Sequence, residues 1–194
     1  MPAIDHLPVV EDEAAIRPRT KEEVADRCLA IVICAVKGET GDDDDVKTII
    51  RDFPRAKGAF SPEERRFIDA TRPSRQDRTS FAWRYECMHV MLWALGYLEK
   101  LQPPSELCNV ADEAGVLWKS GQTRFVAGAK LRPLGAILDQ TDLYYRLHWA
   151  AVELRLKGEE HPAANEEIIM ERHRALNWLV RYMDQEWDDV TTDT

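Results

Sequence analysis

The residues able to do chemistry in this chain of 194 are histidines, carboxylates and arginines set at helical spacing, most of them in the C-terminal half. After Thr141, the residues Asp142, Tyr145, Arg146, Trp149 and Glu153 fall at i, i+3, i+4, i+7 and i+11, along one stripe of a helix. Leu143, Leu147, Ala150 and Leu154 form the neighbouring apolar stripe. Near the end, Ile169, His173, Leu176, Val180 and Met183 share a face, so His173 is expected near a core. Glu171, Arg174, Trp178 and Arg181 lie on another side of that helix. Earlier, Glu86, His89 and Trp93 share a face, with Glu86 enclosed in apolar sequence.

These residues admit three readings. As an enzyme, Glu86, His148, Glu153, Glu171 and His173 would supply a general base and the group that orients it. Arg84, Arg146 and Arg172, with Trp149 and Trp178, would hold an anionic ligand. A metal-dependent hydrolase would use His148, His173 and nearby carboxylates, but no H-E-x-x-H and no paired E-x-x-H motif is present, and neither metal nor cofactor is expected. There is no G-x-S-x-G and no glycine-rich phosphate loop. As structure, the same groups would pair in a buried network that fixes helix packing, since buried charge must be paired. As a binding module, the chain would present its negative charge and its six tryptophans to a partner.

The elements that position these residues read as helices throughout. Thr20 and Glu23 form a capping box that opens a helix running to about Lys37, with Val24, Cys28, Ile31 and Ala35 toward the core. Gly38 to Gly41 breaks it. The run Asp42 to Asp45 lacks the alternating ligands of a calcium loop and suits the first turn of a helix, where the dipole favours acid. Ser61-Pro62-Glu63-Glu64 starts a short helix ending near Thr71, and residues 72–79 read as a polar connection.

A central helix is predicted from about Ser80 to Leu101, stopped by Pro103-Pro104; from Phe81 to Leu98, 14 of 18 residues are apolar. Further helices are predicted over Ala111 to Lys119, Pro133 to Leu138, Thr141 to Gly158 with Thr141 as cap, and from near Asn165 to about Gln185. A glycine-rich connection is expected from Lys119 through Gly128. No segment alternates with period two.

Composition narrows the classes. A formal charge of −9 argues against general affinity for nucleic acid. The local basic stretch from Arg55 to Arg78, seven Lys/Arg against four Asp/Glu, reads as a solvated connection. Cys28, Cys34, Cys87 and Cys108 show no metal-ligand spacing, and no signal peptide or membrane span is visible, so a soluble, cytoplasmic protein is expected.

Several blocks also carry a likeness. Trp83-Arg84-Tyr85-Glu86 leads into Leu92-Trp93-Ala94-Leu95-Gly96, and Asp142-Leu143-Tyr144-Tyr145-Arg146-Leu147-His148-Trp149-Ala150 follows. Then come Glu171-Arg172-His173-Arg174-Ala175-Leu176-Asn177-Trp178-Leu179 and Trp187-Asp188-Asp189-Val190 with Thr192-Asp193-Thr194. In this order they resemble the bacterial family known as domain of unknown function 4272, from about residue 18 onward. The resemblance implies a bacterial cytoplasmic setting and no particular activity.

The expectation is therefore an all-α, single-domain, orthogonal or irregular bundle of about seven helices around a buried central helix. An arm would cover residues 1–19 and the helical domain residues 20–194. The tail from Trp187 is expected to dock, with Asp188 or Asp189 paired to Arg84, Arg146 or Arg172. The expected role is a non-catalytic cytosolic protein binding a protein partner or small ligand; the alternative is an enzyme using the Glu/His/Arg cluster.

Overall fold

The computed structural model describes residues 16–159 and 164–194. Most of the expected N-terminal arm, residues 1–15, lies outside the described residues. The described chain is all-α, with nine α-helices, one 3-10 turn and no strand. Its contacts divide it into two compact units. One comprises Thr20–Leu101 and Cys108–Leu131; the other comprises Gln102–Leu107 and Arg132–Thr194, together with residues 16–19.

The first unit is organised around α1 (Lys21–Thr40). Thr20 caps it through the expected box, Thr20 Oγ1 accepting from Glu23 N and Glu23 Oε2 from Thr20 N. The helix passes through Gly38 and ends at Gly41, whose φ of 68° a side chain would resist. Gly38 serves a different end: a Cβ there would lie 2.6 Å from Arg78 O and 2.7 Å from Ala82 N. Its missing side chain lets another helix cross α1 at close range. Val24, Ala25 and the whole run from Arg27 to Ala35 are buried, so α1 is enclosed on all sides rather than along one stripe.

Around it lie α2 (Asp43–Asp52), α3 (Ala56–Ala59), α4 (Pro62–Asp69), α5 (Arg75–Ala82), α6 (Tyr85–Ala94) and α7 (Val110–Gly128). Asp42 caps α2, accepting from the amides of Asp44 and Asp45, so the aspartate run is a helix start. The expected polar connection over residues 72–79 is instead the start of α5. Ser74 and Asp77 form a capping box there, a signal as local as the Thr20 box and the Ser61 cap recognised in the sequence. The basic stretch from Arg55 to Arg78 is likewise folded into α3, α4 and α5.

The predicted central helix is shorter than its apolar run. All ten residues of α6 are buried, but Gly96 ends it at φ 79°, with Tyr97 N bonded to Leu92 O and Gly96 N to Trp93 O. That pairing is a Schellman stop, which acts before Pro103 is reached. The glycine-rich connection after Lys119 is also corrected: α7 continues to Gly128, kinked at Gly121, where φ is 66° and ψ 158°.

The second unit is built from α8 (Leu134–Leu156) and α9 (Glu166–Leu179), which pack together. α8 is one helix through Thr141, not two. Thr141 is buried, and its hydroxyl donates to Ile137 O four residues back, so it spans the turn without capping it. Asn165 caps α9. α9 ends at Leu179, short of the expected Gln185, and the chain leaves it through a left-handed turn at Arg181. Among the described residues no helix is long and apolar enough to cross a membrane.

Candidate functional site

The α8–α9 unit holds most of the sequence-predicted residues. Arg155 Nε donates to Glu166 at 2.9 Å, and the Nδ1 atoms of His148 and His173 lie 3.2 Å apart, so the two helices run antiparallel. The rings of the histidines meet edge to face, 5.4 Å between centroids, and Tyr145 lies 6.0 Å from His173. His148 is 5% exposed and His173 2%. Burial holds the His173 imidazole down to about 3, with the neighbouring His148 adding to the effect. Burial also lowers His148, against the pull of Glu166 and a backbone hydrogen bond to Thr192, while Arg155 acts with burial. Both rings are therefore neutral near pH 7. Two neutral rings in this contact share one proton, one Nδ1–H donating to the other Nδ1.

Several of the remaining candidates of this unit have partners close by. Arg172 is fully buried and donates to Gln102 O and, at 3.0 Å, to the Tyr144 hydroxyl. Arg146 pairs with Asp142 through both guanidinium edges, at 2.7 and 3.1 Å, the i,i+4 contact its spacing suggests. Glu153 lies 3.5 Å from Lys157, Glu171 is buried and Trp149 is half-buried. Trp178 is buried edge-on to Trp187, with the Arg19 guanidinium 4.8 Å from the centre of its ring.

The C-terminal segment lies against this group. Trp187 is 4% exposed, the Arg174 guanidinium stacks 5.4 Å from its ring centre, and Arg174 Nη2 donates to its carbonyl. Asn177 Nδ2 donates to Thr191 O, and Thr191 N donates to the Gln185 side chain. The arginine on the tail's aromatic residue is thus Arg174, which the sequence analysis assigned no such role.

The α1 unit holds Arg84 and Glu86. Arg84 is half-buried at the junction of α5 and α6. Glu86 is 1% exposed, and its Oε1 accepts the Cys108 amide at 2.8 Å. The sequence reading missed a second buried pair in this unit, His89 Nδ1 to Glu113 Oε1 at 2.7 Å, both residues at most 5% exposed. Glu113 Oε2 is buried with no hydrogen-bond partner among the described residues. The Cys28 thiol is pushed well up, first by burial and then by the charge of Glu113, which leaves it a core residue rather than a nucleophile. Glu113 was findable, because it stands four residues before the buried Leu117 on α7. Among the described residues no group of three or more His, Cys, Asp or Glu is placed to hold a metal ion.

A chain in which α-helices carry paired internal charges, with no strand among the described residues, defines a class of fold and not an activity. The sequence profile described as domain of unknown function (DUF4272) matches residues 1–190, and the chain belongs to that family. No curated protein and no solved structure matches it.

Proposed function

We propose that this chain is a non-catalytic bacterial cytoplasmic protein that binds a protein partner through its α8–α9 unit. The observation that carries the reading is a coincidence of charge and apolar exposure. Over the described residues this unit has 13 Asp/Glu against nine Lys/Arg, whereas the α1 unit has 17 of each. Among the described residues, six of the seven large hydrophobic side chains that stand exposed, Leu107, Leu143, Leu156, Met170, Tyr182 and Met183, belong to the same acidic unit. Exposed apolar groups rimmed by charge favour association with a partner of opposite sign.

The chemically capable side chains support the same reading. His148 and His173 are too enclosed to meet a substrate, and Glu86 and Arg172 are engaged with main-chain groups. The enzyme reading of these residues requires the imidazoles to open to solvent, and it remains the alternative.

The test is capture without cross-linking on the tagged full-length chain from its native host, washed at low and at high salt. The expected result is one stoichiometric protein with an excess of Lys and Arg, released as ionic strength rises. Capture that ignores salt, or the absence of a stoichiometric protein, counts against the proposal.

A further inference from the structure

The segment that follows α9 has a geometry that most side chains disfavour. Arg181, Met183 and Asp184 have φ of 55°, 52° and 53°, the left-handed region that disfavours side chains other than Gly, Asn and Asp. A methionine is an unfavourable choice there, and such positions persist only where the surroundings hold them. Here they do. Val180 and Trp187 on either side are 5% and 4% exposed. Arg181 N bonds to Trp178 O, Asp184 N to Arg181 O at 2.8 Å, and Gln185 N to Tyr182 O. Arg19 Nη2 donates to Gln185 O at 2.9 Å.

The turn so held presents two large apolar side chains to solvent, Tyr182 at 39% and Met183 at 71% exposure. Methionine adapts its shape to a partner, and tyrosine offers a rigid ring at low entropic cost. Acidic charge predominates along the chain that follows. From Tyr182 to Thr194 the chain carries five Asp/Glu and no Lys or Arg, with Asp184, Glu186 and Asp189 exposed. Arg181, the first residue of the turn, is half-buried; Arg19 approaches Glu186 at 3.5 Å but is itself buried.

We infer that the turn at residues 181–184 is the anchor of an interaction surface, taking a partner segment in which Lys or Arg flank an apolar residue. Tyr182 and Met183 would cover the apolar residue, and Asp184 and Asp189 would face the cations. The inference rests on the partner-binding reading above and names the partner's chemistry and the point of contact.

The experiment is selection of a displayed random dodecapeptide library on the immobilised full chain, repeated on Met183→Gly and Tyr182→Ser. Glycine adopts the left-handed conformation without strain, so M183G is expected to keep or raise the melting temperature. The enriched peptides are expected to place Lys or Arg around an aromatic or aliphatic residue. Their affinity is expected to fall about tenfold on either variant, the loss usual for a central contact. Basic peptides that bind both variants as tightly as the parent overturn the anchor and leave the partner-binding reading standing. Enrichment without basic residues, or no enrichment, overturns both. A clear drop in melting temperature for M183G shows the left-handed methionine to be a packing element, and also overturns the anchor.

Discussion

The two units neutralise buried charge in different ways. In the α1 unit each deep cation meets a carboxylate. Arg27 contacts Glu64 at 2.5 Å, and Lys37, 1% exposed, reaches Asp43 at 2.9 Å as well as the carbonyls of Ile68 and Ala70. In the α8–α9 unit the buried Arg172 donates to a carbonyl and a phenol, the buried Arg19 reaches the exposed Glu186 at 3.5 Å, and two neutral imidazoles satisfy each other. The first arrangement is held by charge pairs, so it fails when one partner is removed. The second is held by keeping its histidines uncharged, so it fails when protons are supplied.

The largest expected effect breaks the first arrangement. Glu64→Ala leaves the Arg27 guanidinium without its carboxylate and removes the Glu64 half of the cap on α4, so stability should fall by about 3–5 kcal/mol. Urea denaturation of the full chain measures it; a loss under 1 kcal/mol would show that the pair is not what closes this unit.

Next is Trp187→Ala, which empties the space between Trp178 and Arg174 and should cost about 3 kcal/mol. An unchanged melting temperature would mean the tail contributes nothing to the α8–α9 unit.

The pH response sharpens the contrast. His173 is held at about 3 and His148 is also lowered, both from an ordinary value of 6.5. The unfolded chain therefore binds these protons more readily than the folded one. Stability from the neutral pair is fully present above about pH 6.5 and is lost as pH falls toward 3. Between pH 7 and pH 5 the loss should be about 2 kcal/mol, and His173→Phe should flatten the dependence. Equal slopes for the parent and H173F would remove the imidazole pair from the account.

The smallest effect belongs to the half-exposed pair on α8. Arg146→Ala should leave the urea midpoint almost unchanged, since solvent screens that contact. A clear fall in that midpoint would assign Arg146 a deeper role than its intrahelical pair.

Parts of this were legible in the sequence because they are local. The caps at Thr20, Ser61 and Asn165 depend on side chains two to three residues from the amides they satisfy, and the Asp142–Arg146 pair spans one turn. The box at Ser74 and Asp77 was equally local and was hidden by the polar composition around it. Arg27 also carried a signal, standing three residues after Val24 and four before Ile31 on the stripe expected to face the core. By contrast, the stop at Gly96 was masked by an apolar run that continues beyond it, because hydrophobic content says nothing about where backbone φ changes sign.

By itself, then, the sequence determined an all-helical chain, where several of its helices begin, and the family to which it belongs. Tertiary structure decided which charges meet. His148 finds His173 across 25 residues, His89 finds Glu113 across 24, and Arg27 finds Glu64 across 37. Each contact depends on the register of two packed helices, which no spacing within one helix specifies. The left-handed turn at Met183 was hidden for the same reason. Its strain is held by contacts to Arg19 and around Trp187 that exist only once the chain has folded.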